Sequence, residues 1–187
     1  MRNILIFIVL CLLGFNAFAN TSERLSQAAF APQVRIDNQP LALKSQAVFT
    51  YLWADVYAAA LYTRPEQSPK QALRLNSNTR LELYYFRAID RDDVIKAAWT
   101  TLEKQLTTNT LEKLRSEIDR LHAQFTDIRP GDRYALNFDP TNGLSLDING
   151  ARRFTSPNTE LARAYLGIWL APSGLSDELR NTLLAEQ

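Results

Sequence analysis

Residues 129–154, RPGDRYALNFDPTNGLSLDINGARRF, contain three strand-like segments separated by turn motifs. Pro130 and Gly131 form a turn that leads into the first segment. The stretch DPTNG then predicts a hairpin, because Asn-Gly readily adopts the positive φ that tight hairpin turns need. Asn149 and Gly150 supply a second turn of the same kind. Since hairpins join neighbouring antiparallel strands, this stretch predicts part of an antiparallel sheet.

Four more strand-like segments lie closer to the N-terminus. Their sequences are QVRID at 33–37, LALKSQAVFTYLW at 41–53, DVYAAALYT at 55–63 and RLELYYFRA at 80–88. In the last of these, Leu81, Leu83 and Tyr85 point to one face, and the residues between them point to the other. Both faces carry apolar bulk, so the segment is predicted to be a central strand.

The segment between residues 90 and 125 has helical periodicity. One helix is predicted from Asp90, with Asp93 three residues on as in a capping box, and another from near Asn109. Apolar residues recur in both at helical spacing: Val94, Ala98, Leu102 and Leu106 in the first, and Leu111, Leu114, Ile118, Leu121 and Phe125 in the second.

The stretch at 164–184, AYLGIWLAPSGLSDELRNTLL, holds the end of one helix and the whole of another, separated by a Pro and a Gly. Ser156 is predicted to cap the first of these helices, with Pro157 in its first turn, and Ser176 to cap the second. The order is therefore strands, two helices, strands, two helices. It predicts an α+β domain in which helices pack on a large antiparallel sheet.

The N-terminal 19 residues, MRNILIFIVLCLLGFNAFA, have the pattern of a cleaved export signal: the charged Arg2, a short apolar run and a final A-x-A motif. Cleavage is expected after Ala19, which predicts a periplasmic or secreted protein. Residues 20–32 are predicted to be a flexible lead-in, and residues 33–187 to form a single domain.

The composition of the chain argues against several classes of partner and of reactive site. The chain has 21 Lys and Arg against 20 Asp and Glu, so losing Arg2 with the signal leaves a net charge of zero. This balance gives no electrostatic reason to expect nucleic acid or an anionic membrane as a partner. Cleavage also removes the only Cys and the only Met. No disulfide, thiol nucleophile, metal site or cofactor is predicted, nor stable membrane insertion after cleavage.

Three stretches together resemble the chalcone isomerase-like family, in its bacterial exported branch. They are ADVYAAALYT at 54–63, the double hairpin at 129–154 and the helical segment at 164–184. The likeness covers residues 33–184. It implies an open-faced β-sandwich in which a large sheet and a helix layer enclose an apolar cleft. Relatives cyclise chalcones to flavanones, bind fatty acids or have no known activity.

The resemblance also implies where catalytic groups would lie. The family's enzymes use an arginine, together with Thr, Tyr, Lys and Asn groups that organise water around a developing enolate. The arginine position corresponds to Phe49 in this chain, and the threonine position to Trp53. The remaining positions correspond to Asp90, Asp93 and Ala97. The chemistry of every mapped position is lost, which predicts a non-catalytic protein. Fatty-acid-binding relatives also use that arginine, so Phe49 alters their mode of binding as well.

Three other groups of polar residues are interpreted structurally. His122 is the only histidine and is predicted to be solvated or half-packed on a charged helix. The cluster of Asp90, Asp92 and Asp93 is attributed to the start of a helix, where carboxylates are favourable. The adjacent pair Arg152 and Arg153 is interpreted as solvated, because neighbouring strand residues point to opposite faces.

Aromatic residues supply the candidate binding site. Several lie on neighbouring apolar strands and on the covering helix, where ordinary core packing is the alternative explanation. Arg87 is the best remaining cation on these strands for an anionic head group. An apolar slot with a polar end is the usual form of a small-molecule site. The predicted ligand-binding residues are Tyr57, Tyr62, Tyr84, Tyr85, Arg87, Tyr165 and Trp169.

Three functions stay open at this point. The leading prediction is an exported, non-catalytic protein that binds a lipophilic small molecule such as a fatty acid. The second is a structural or protein-interaction module whose cleft is filled, which Phe49 and Trp53 favour. The third is an isomerase or lyase with a rearranged site.

Overall fold

A computed structural model of the chain describes residues 21–186. Its centre is one seven-stranded sheet in which every strand is antiparallel to its neighbours and the spatial order follows the chain order. The strands are β1 (Gln33–Ile36), β2 (Gln39–Tyr51), β3 (Ala54–Thr63), β4 (Thr79–Tyr85), β5 (Arg133–Asp139), β6 (Gly143–Ile148) and β7 (Ala151–Ser156). All seven predicted strand segments are therefore confirmed, including the double hairpin of β5, β6 and β7.

Within residues 21–186, five α-helices accompany the sheet. Helix α1 spans residues 21–28, and the others are α2 (Arg91–Gln105), α3 (Thr108–His122), α4 (Thr159–Leu170) and α5 (Asp177–Leu184). A 3₁₀ helix, Pro69–Arg74, lies between β3 and β4. Helices α2 and α3 are inserted between the paired strands β4 and β5. The predicted α+β class and the open-faced β-sandwich, a large antiparallel sheet covered by a helix layer, are confirmed.

Strand alternation gives the sheet two different faces. On β4, Leu81, Leu83 and Tyr85 belong to the main apolar core, which lies between the sheet and helices α2 to α5. The alternate residues Arg80 and Glu82 point to the opposite face, where they form an ion pair of 2.9 Å. The helix-facing side therefore carries the core, and the opposite side carries a polar network.

The segment predicted to be a flexible lead-in is helical instead. Helix α1 lies on the face of the sheet away from the other helices: Arg24 forms a 3.0 Å ion pair with Asp55 and packs over the ring of Phe86. Ala28 is fully buried, and the Tyr62 hydroxyl donates to the carbonyl of Ala31 at 3.0 Å. These long-range contacts order a segment that its small, polar composition had suggested was loose. The predicted export signal, residues 1–19, lies outside the described residues.

Two of the predicted helix caps are wrong. The Asp90 side chain makes no capping hydrogen bond; instead the Asp127 carboxylate accepts from the Arg91 backbone N–H at 3.0 Å. Helix α4 is capped by Asn158, which accepts two backbone N–H groups, at 2.9 and 3.2 Å. Ser156 is instead the last residue of β7. The first error arises because the acceptor at the start of α2 comes from a residue distant in the sequence. The second arises because β7 extends to Ser156, so the cap position falls two residues later, on Asn158.

Two other predictions from the local sequence, the Ser176 cap and the turn at Asn149 and Gly150, are confirmed. Ser176 caps α5 by accepting from the Leu179 N–H at 3.2 Å. Asn149 and Gly150 both have positive φ, 51° and 80°, as the β6–β7 turn requires. Across residues 21–186, we find no helix with the length and hydropathy needed to cross a bilayer.

Candidate functional site

A cavity of about 800 Å³ lies between the helix-facing side of the sheet and helices α2 and α4. This volume falls within the range of about 300–1,000 Å³ that is typical of small-molecule sites. Its walls are mostly apolar and aromatic, and include Phe49, Val56, Tyr57, Leu81, Leu83, Tyr85, Ala98, Phe125, Tyr134, Leu136, Leu146, Tyr165, Ile168 and Trp169. The space suits an apolar ligand.

Five of the seven predicted ligand-binding residues line this cavity: Tyr57, Tyr85, Arg87, Tyr165 and Trp169. The other two, Tyr62 and Tyr84, lie on the opposite face of the sheet. Tyr62 hydrogen-bonds to the N-terminal segment, and Arg133 packs over the ring of Tyr84. Since successive strand residues point to opposite faces, the seven side chains do not form one site.

The inner wall is a cluster of aromatic rings. Phe49 stacks on Tyr57 with ring centroids 5.0 Å apart, and the Tyr57 hydroxyl accepts a 3.0 Å hydrogen bond from the Trp169 indole N–H. Tyr85 meets Tyr57 edge to face at 5.4 Å. Burial raises the pKa of Tyr57, Tyr85 and Tyr165, so these phenols are neutral at physiological pH.

Tyr85 gives the inner wall one polar group. Tyr85 lines the cavity and is 5% exposed. The neighbouring Tyr165 hydroxyl lies 2.9 Å from His122 Nε2. Because a tyrosine combines an apolar ring with a hydroxyl, Tyr85 can offer a hydrogen bond to a polar atom inside the cavity.

The mouth of the cavity is more polar than its interior. Three cationic side chains, Arg87, Lys96 and Lys104, line it together with one carboxylate, Asp93, and all four residues are exposed. The Arg87 Nε donates to the carbonyl of Asp55 at 3.1 Å, which holds the guanidinium where β3 begins and β4 ends. The cavity therefore has an aromatic interior and a predominantly basic rim.

Sequence reasoning named Arg87 but missed Lys96 and Lys104. A signal was present, since Lys96, Thr100 and Lys104 recur every four residues and so follow one side of α2. That side lies beside Ala97, Ala98 and Thr101, whose small side chains leave the space open. Only the packing of α2 on the sheet shows that this polar stripe borders a cavity.

The positions mapped from the family resemblance do not all line the cavity. Phe49, Asp93 and Ala97 line the cavity, and Asp90 precedes helix α2. Trp53 does not line the cavity and is 87% exposed. The suggestion that Trp53 fills the cleft is therefore wrong, because this residue lies in the tight turn between β2 and β3 and points away from the core.

Contrary to the sequence interpretation, His122 is only 3% exposed. Its Nε2 lies 2.9 Å from the Tyr165 hydroxyl, and its ring packs against Trp99 and Phe125. Among the described residues, its Nδ1 has no hydrogen-bond partner. Burial lowers the pKa of His122 to about 4; nearby Arg91 adds to this effect and Asp119 opposes it.

We expect His122 to make stability depend on pH. Its folded pKa of about 4 lies below the value of about 6.5 for an unfolded histidine, so the unfolded chain takes up the proton first. The stabilisation is complete above about pH 6.5 and is lost as the pH falls to about 4; in total it amounts to about 3 kcal/mol. Urea unfolding at several pH values in this window measures it. In His122→Phe the decline should be shallower by that amount, and an unchanged decline would contradict the assignment.

Arg152, one of the two adjacent arginines interpreted as solvated, has a structural partner. Arg152 forms an ion pair with Asp147, which also lies 3.3 Å from Arg80. This pairing is on the face of the sheet away from the cavity. No group of three or more potential metal-ligating side chains occurs within residues 21–186.

Comparison with known proteins gives one family match and a similar solved structure. A family profile described as chalcone isomerase-like matches residues 22–185. Among solved structures, the chain is similar to the crystal structure of a fatty-acid binding protein from Arabidopsis thaliana, with a TM-score of 0.62 and 16% sequence identity. The match covers 83% of this chain and 90% of the other. No curated protein sequence matches significantly. At this identity, the structural similarity shows a shared fold.

Proposed function

We propose that this chain, which belongs to the chalcone isomerase-like family, binds a fatty acid or a similar lipophilic acid without converting it. The observation that carries the proposal is the cavity of about 800 Å³ with aromatic walls and a basic rim. A solved structure of similar fold is that of a fatty-acid binding protein. That resemblance supports the same ligand class here.

The distribution of charge in the cavity suggests how the ligand is oriented. Position 49 is a phenylalanine stacked on Tyr57, so it cannot pair with a carboxylate. The cations lie at the exposed mouth instead, on Arg87, Lys96 and Lys104. A bound fatty acid would therefore have its chain among the aromatic rings and its carboxylate at the rim, where a cation offsets the charge without being buried.

The residues of the cavity do not favour ring closure by the family's route. That reaction needs a cation and fixed donors placed at the developing negative charge. Phe49 offers neither, and Asp93 and Ala97 stand at two other mapped positions that line the cavity. The buried tyrosines stay neutral, since burial raises the pKa of each. We therefore propose binding rather than catalysis.

A module with a filled cleft is less well supported. That alternative depended on Phe49 and Trp53 occupying the space. Phe49 lies in one wall and leaves a cavity of about 800 Å³, and Trp53 lies outside it. A rearranged isomerase site would have to use Arg87, so chalcone turnover abolished in Arg87→Ala but retained in Phe49→Ala would support that alternative.

Export is also part of the proposal. It is supported by the N-terminal pattern of Arg2, an apolar run and an A-x-A motif. The ligand would then be met in the periplasm or outside the cell. Mass measurement of the protein recovered from the periplasmic fraction, with Asn20 as its first residue, would support this part of the proposal.

The rim cations can be tested by comparing a fatty acid with its alcohol. In the triple variant Arg87→Ala, Lys96→Ala, Lys104→Ala, we expect palmitate to bind about tenfold more weakly, because a rim-exposed charge pair contributes about 1 kcal/mol or slightly more. Hexadecanol should bind as it does to the unchanged protein, since it carries no charge. Displacement of a fluorescent fatty acid gives both affinities.

A triple variant with the same change in total charge provides the control. Arg35, Lys70 and Lys113 are all exposed and none lines the cavity, so replacing them with alanine should leave palmitate affinity within about twofold of the unchanged protein. Equal losses for palmitate and hexadecanol in the rim variant, or no loss for either, would show that the cations do not hold the carboxylate.

A further inference from the structure

The turn between β2 and β3 exposes three large hydrophobic side chains in succession. Tyr51 is 64% exposed, Leu52 is 72% exposed and Trp53 is 87% exposed; they are the large hydrophobic residues exposed in the described part of the chain. Leu52 also has a positive φ of 57°, which residues other than glycine adopt at a cost. We name residues 51–53 the hairpin tip.

The hairpin tip stands at the mouth of the cavity. Tyr51 and Ala54, the residues on either side of the two-residue turn, both line the cavity, and they pair with each other at the end of the β2–β3 ladder. Leu52 and Trp53 therefore project outward from the cavity entrance. A surface that covers the hairpin tip would also face that entrance.

The side chains around this entrance have the chemistry of a membrane-facing surface. Trp and Tyr are enriched where protein meets the headgroup region of a bilayer, because their rings are amphipathic. Three cations and one carboxylate line the same cavity, and one of the cations, Arg87, is held next to the hairpin tip by the carbonyl of Asp55 at 3.1 Å. Such a local excess of positive charge attracts anionic lipid headgroups. The near-zero net charge of the chain does not cancel this attraction, since charges beyond about 10 Å are screened.

The size of the hairpin tip fits a lipid surface better than a protein partner. A stable protein–protein interface buries about 1,200–2,000 Å² in total, and three side chains supply only a part of that. Shallow insertion of a few apolar side chains, together with attraction between basic groups and anionic lipid, is sufficient for reversible binding to a membrane surface.

We propose that the hairpin tip docks on an anionic lipid surface and places the cavity mouth against it. Leu52 and Trp53 enter the headgroup region, and Arg87, Lys96 and Lys104 contact anionic headgroups. A lipophilic acid can then pass between bilayer and cavity without its chain crossing water. This last step rests on the proposed function, whereas the docking does not.

Vesicle flotation tests the docking without any added fatty acid. The chain from Asn20 onward is used, because the preceding apolar segment would itself bind lipid; it contains every strand and helix of the described residues. We expect binding to vesicles of phosphatidylethanolamine and phosphatidylglycerol that weakens with added salt, and little binding to phosphatidylcholine alone. The double variant Leu52→Ser, Trp53→Ser should bind at least about tenfold more weakly.

Two controls make the result specific. Adding Thr141→Trp to the double variant returns a tryptophan to an exposed turn at the opposite end of the sheet, and this should not restore binding. Hexadecanol and palmitate affinities in solution should be unchanged in the double variant, which shows that the cavity is intact. Because the vesicle assay contains no fatty acid, loss of the proposed ligand leaves its outcome unaffected.

Unchanged vesicle binding by the double variant, or absence of binding by the unchanged protein to vesicles of either composition, would overturn the docking proposal. So would recovery of binding with Thr141→Trp, since it would show that any exposed tryptophan suffices. If the unchanged protein binds vesicles only when another protein is present on them, the hairpin tip serves a protein partner and the proposal is wrong.

Discussion

Ala98→Trp is expected to reduce palmitate affinity by at least about a hundredfold. Ala98 is a buried residue of α2 that lines the cavity, so an indole at this position occupies volume that the fatty-acid chain needs. Excluding about four methylene groups removes roughly 3 kcal/mol of burial, which corresponds to a factor of about a hundred in the dissociation constant. Displacement of a fluorescent fatty acid measures this loss.

The same substitution should leave the protein folded. The new ring enters existing space, whereas overpacking is costly when atoms already fill the site. Ala123→Trp adds the same bulk at an exposed residue that does not line the cavity, and should change palmitate affinity by less than about twofold. If a folded Ala98→Trp protein bound palmitate as tightly as the unchanged chain, the ligand would lie elsewhere.

The largest expected effect on stability comes from Glu82, on the face of the sheet away from the cavity. This residue is 7% exposed, and its carboxylate forms ion pairs with Arg80 at 2.9 Å and with Arg133 at 2.8 Å. Glu82→Gln leaves the partly buried Arg133 guanidinium without its counter-ion, and Arg80 keeps only Asp147, at 3.3 Å. Removing one partner of a buried ion pair costs about 3–5 kcal/mol, so we expect the free energy of unfolding to fall by about that amount.

An exposed ion pair offers a matched control. Glu66 lies 3.4 Å from Arg64, and both side chains are well exposed, so Glu66→Gln should cost at most about 1 kcal/mol. Urea unfolding at neutral pH measures both variants. A Glu82→Gln cost as small as that of Glu66→Gln would mean that the network is hydrated and does not stabilise the sheet.

The Glu82 network also joins the sheet to helix α1. Arg133 donates to the carbonyl of Ala28 and packs over the ring of Phe30, so loss of its counter-ion should loosen the N-terminal segment as well. Since the network and the cavity lie on opposite faces, the Glu82→Gln protein that remains folded should bind palmitate normally. This separation distinguishes a stability role from a ligand-binding role.

Much of the fold could be predicted because its signals are local. Asn149 and Gly150 determine a turn by their own backbone preference, and the period of two in 81–86 distinguishes the two faces of β4. The helix periodicity of 90–125 was equally clear. Helix α1 was missed because contacts distant in the sequence, such as Arg24 with Asp55, stabilise a segment that has no amphipathic pattern of its own.

The candidate site was predictable only in part, for reasons of geometry. Tyr84 and Tyr85 are adjacent in a strand, so they could not line the same cavity, and the alternation already visible in the sequence would have separated them. His122 and Trp53 could not be placed in this way. Burial of the first depends on how α3 packs against α4, and exposure of the second depends on where a hairpin turn lies relative to the core.

Extraction of the purified, processed protein followed by mass spectrometry of the bound lipid tests the central claim most directly. The account predicts a fatty acid or similar lipophilic acid in near-stoichiometric amount with the unchanged chain, and its absence from Ala98→Trp purified in the same way. A folded, unchanged protein that carries no lipid and shows no thermal stabilisation by added palmitate would contradict it.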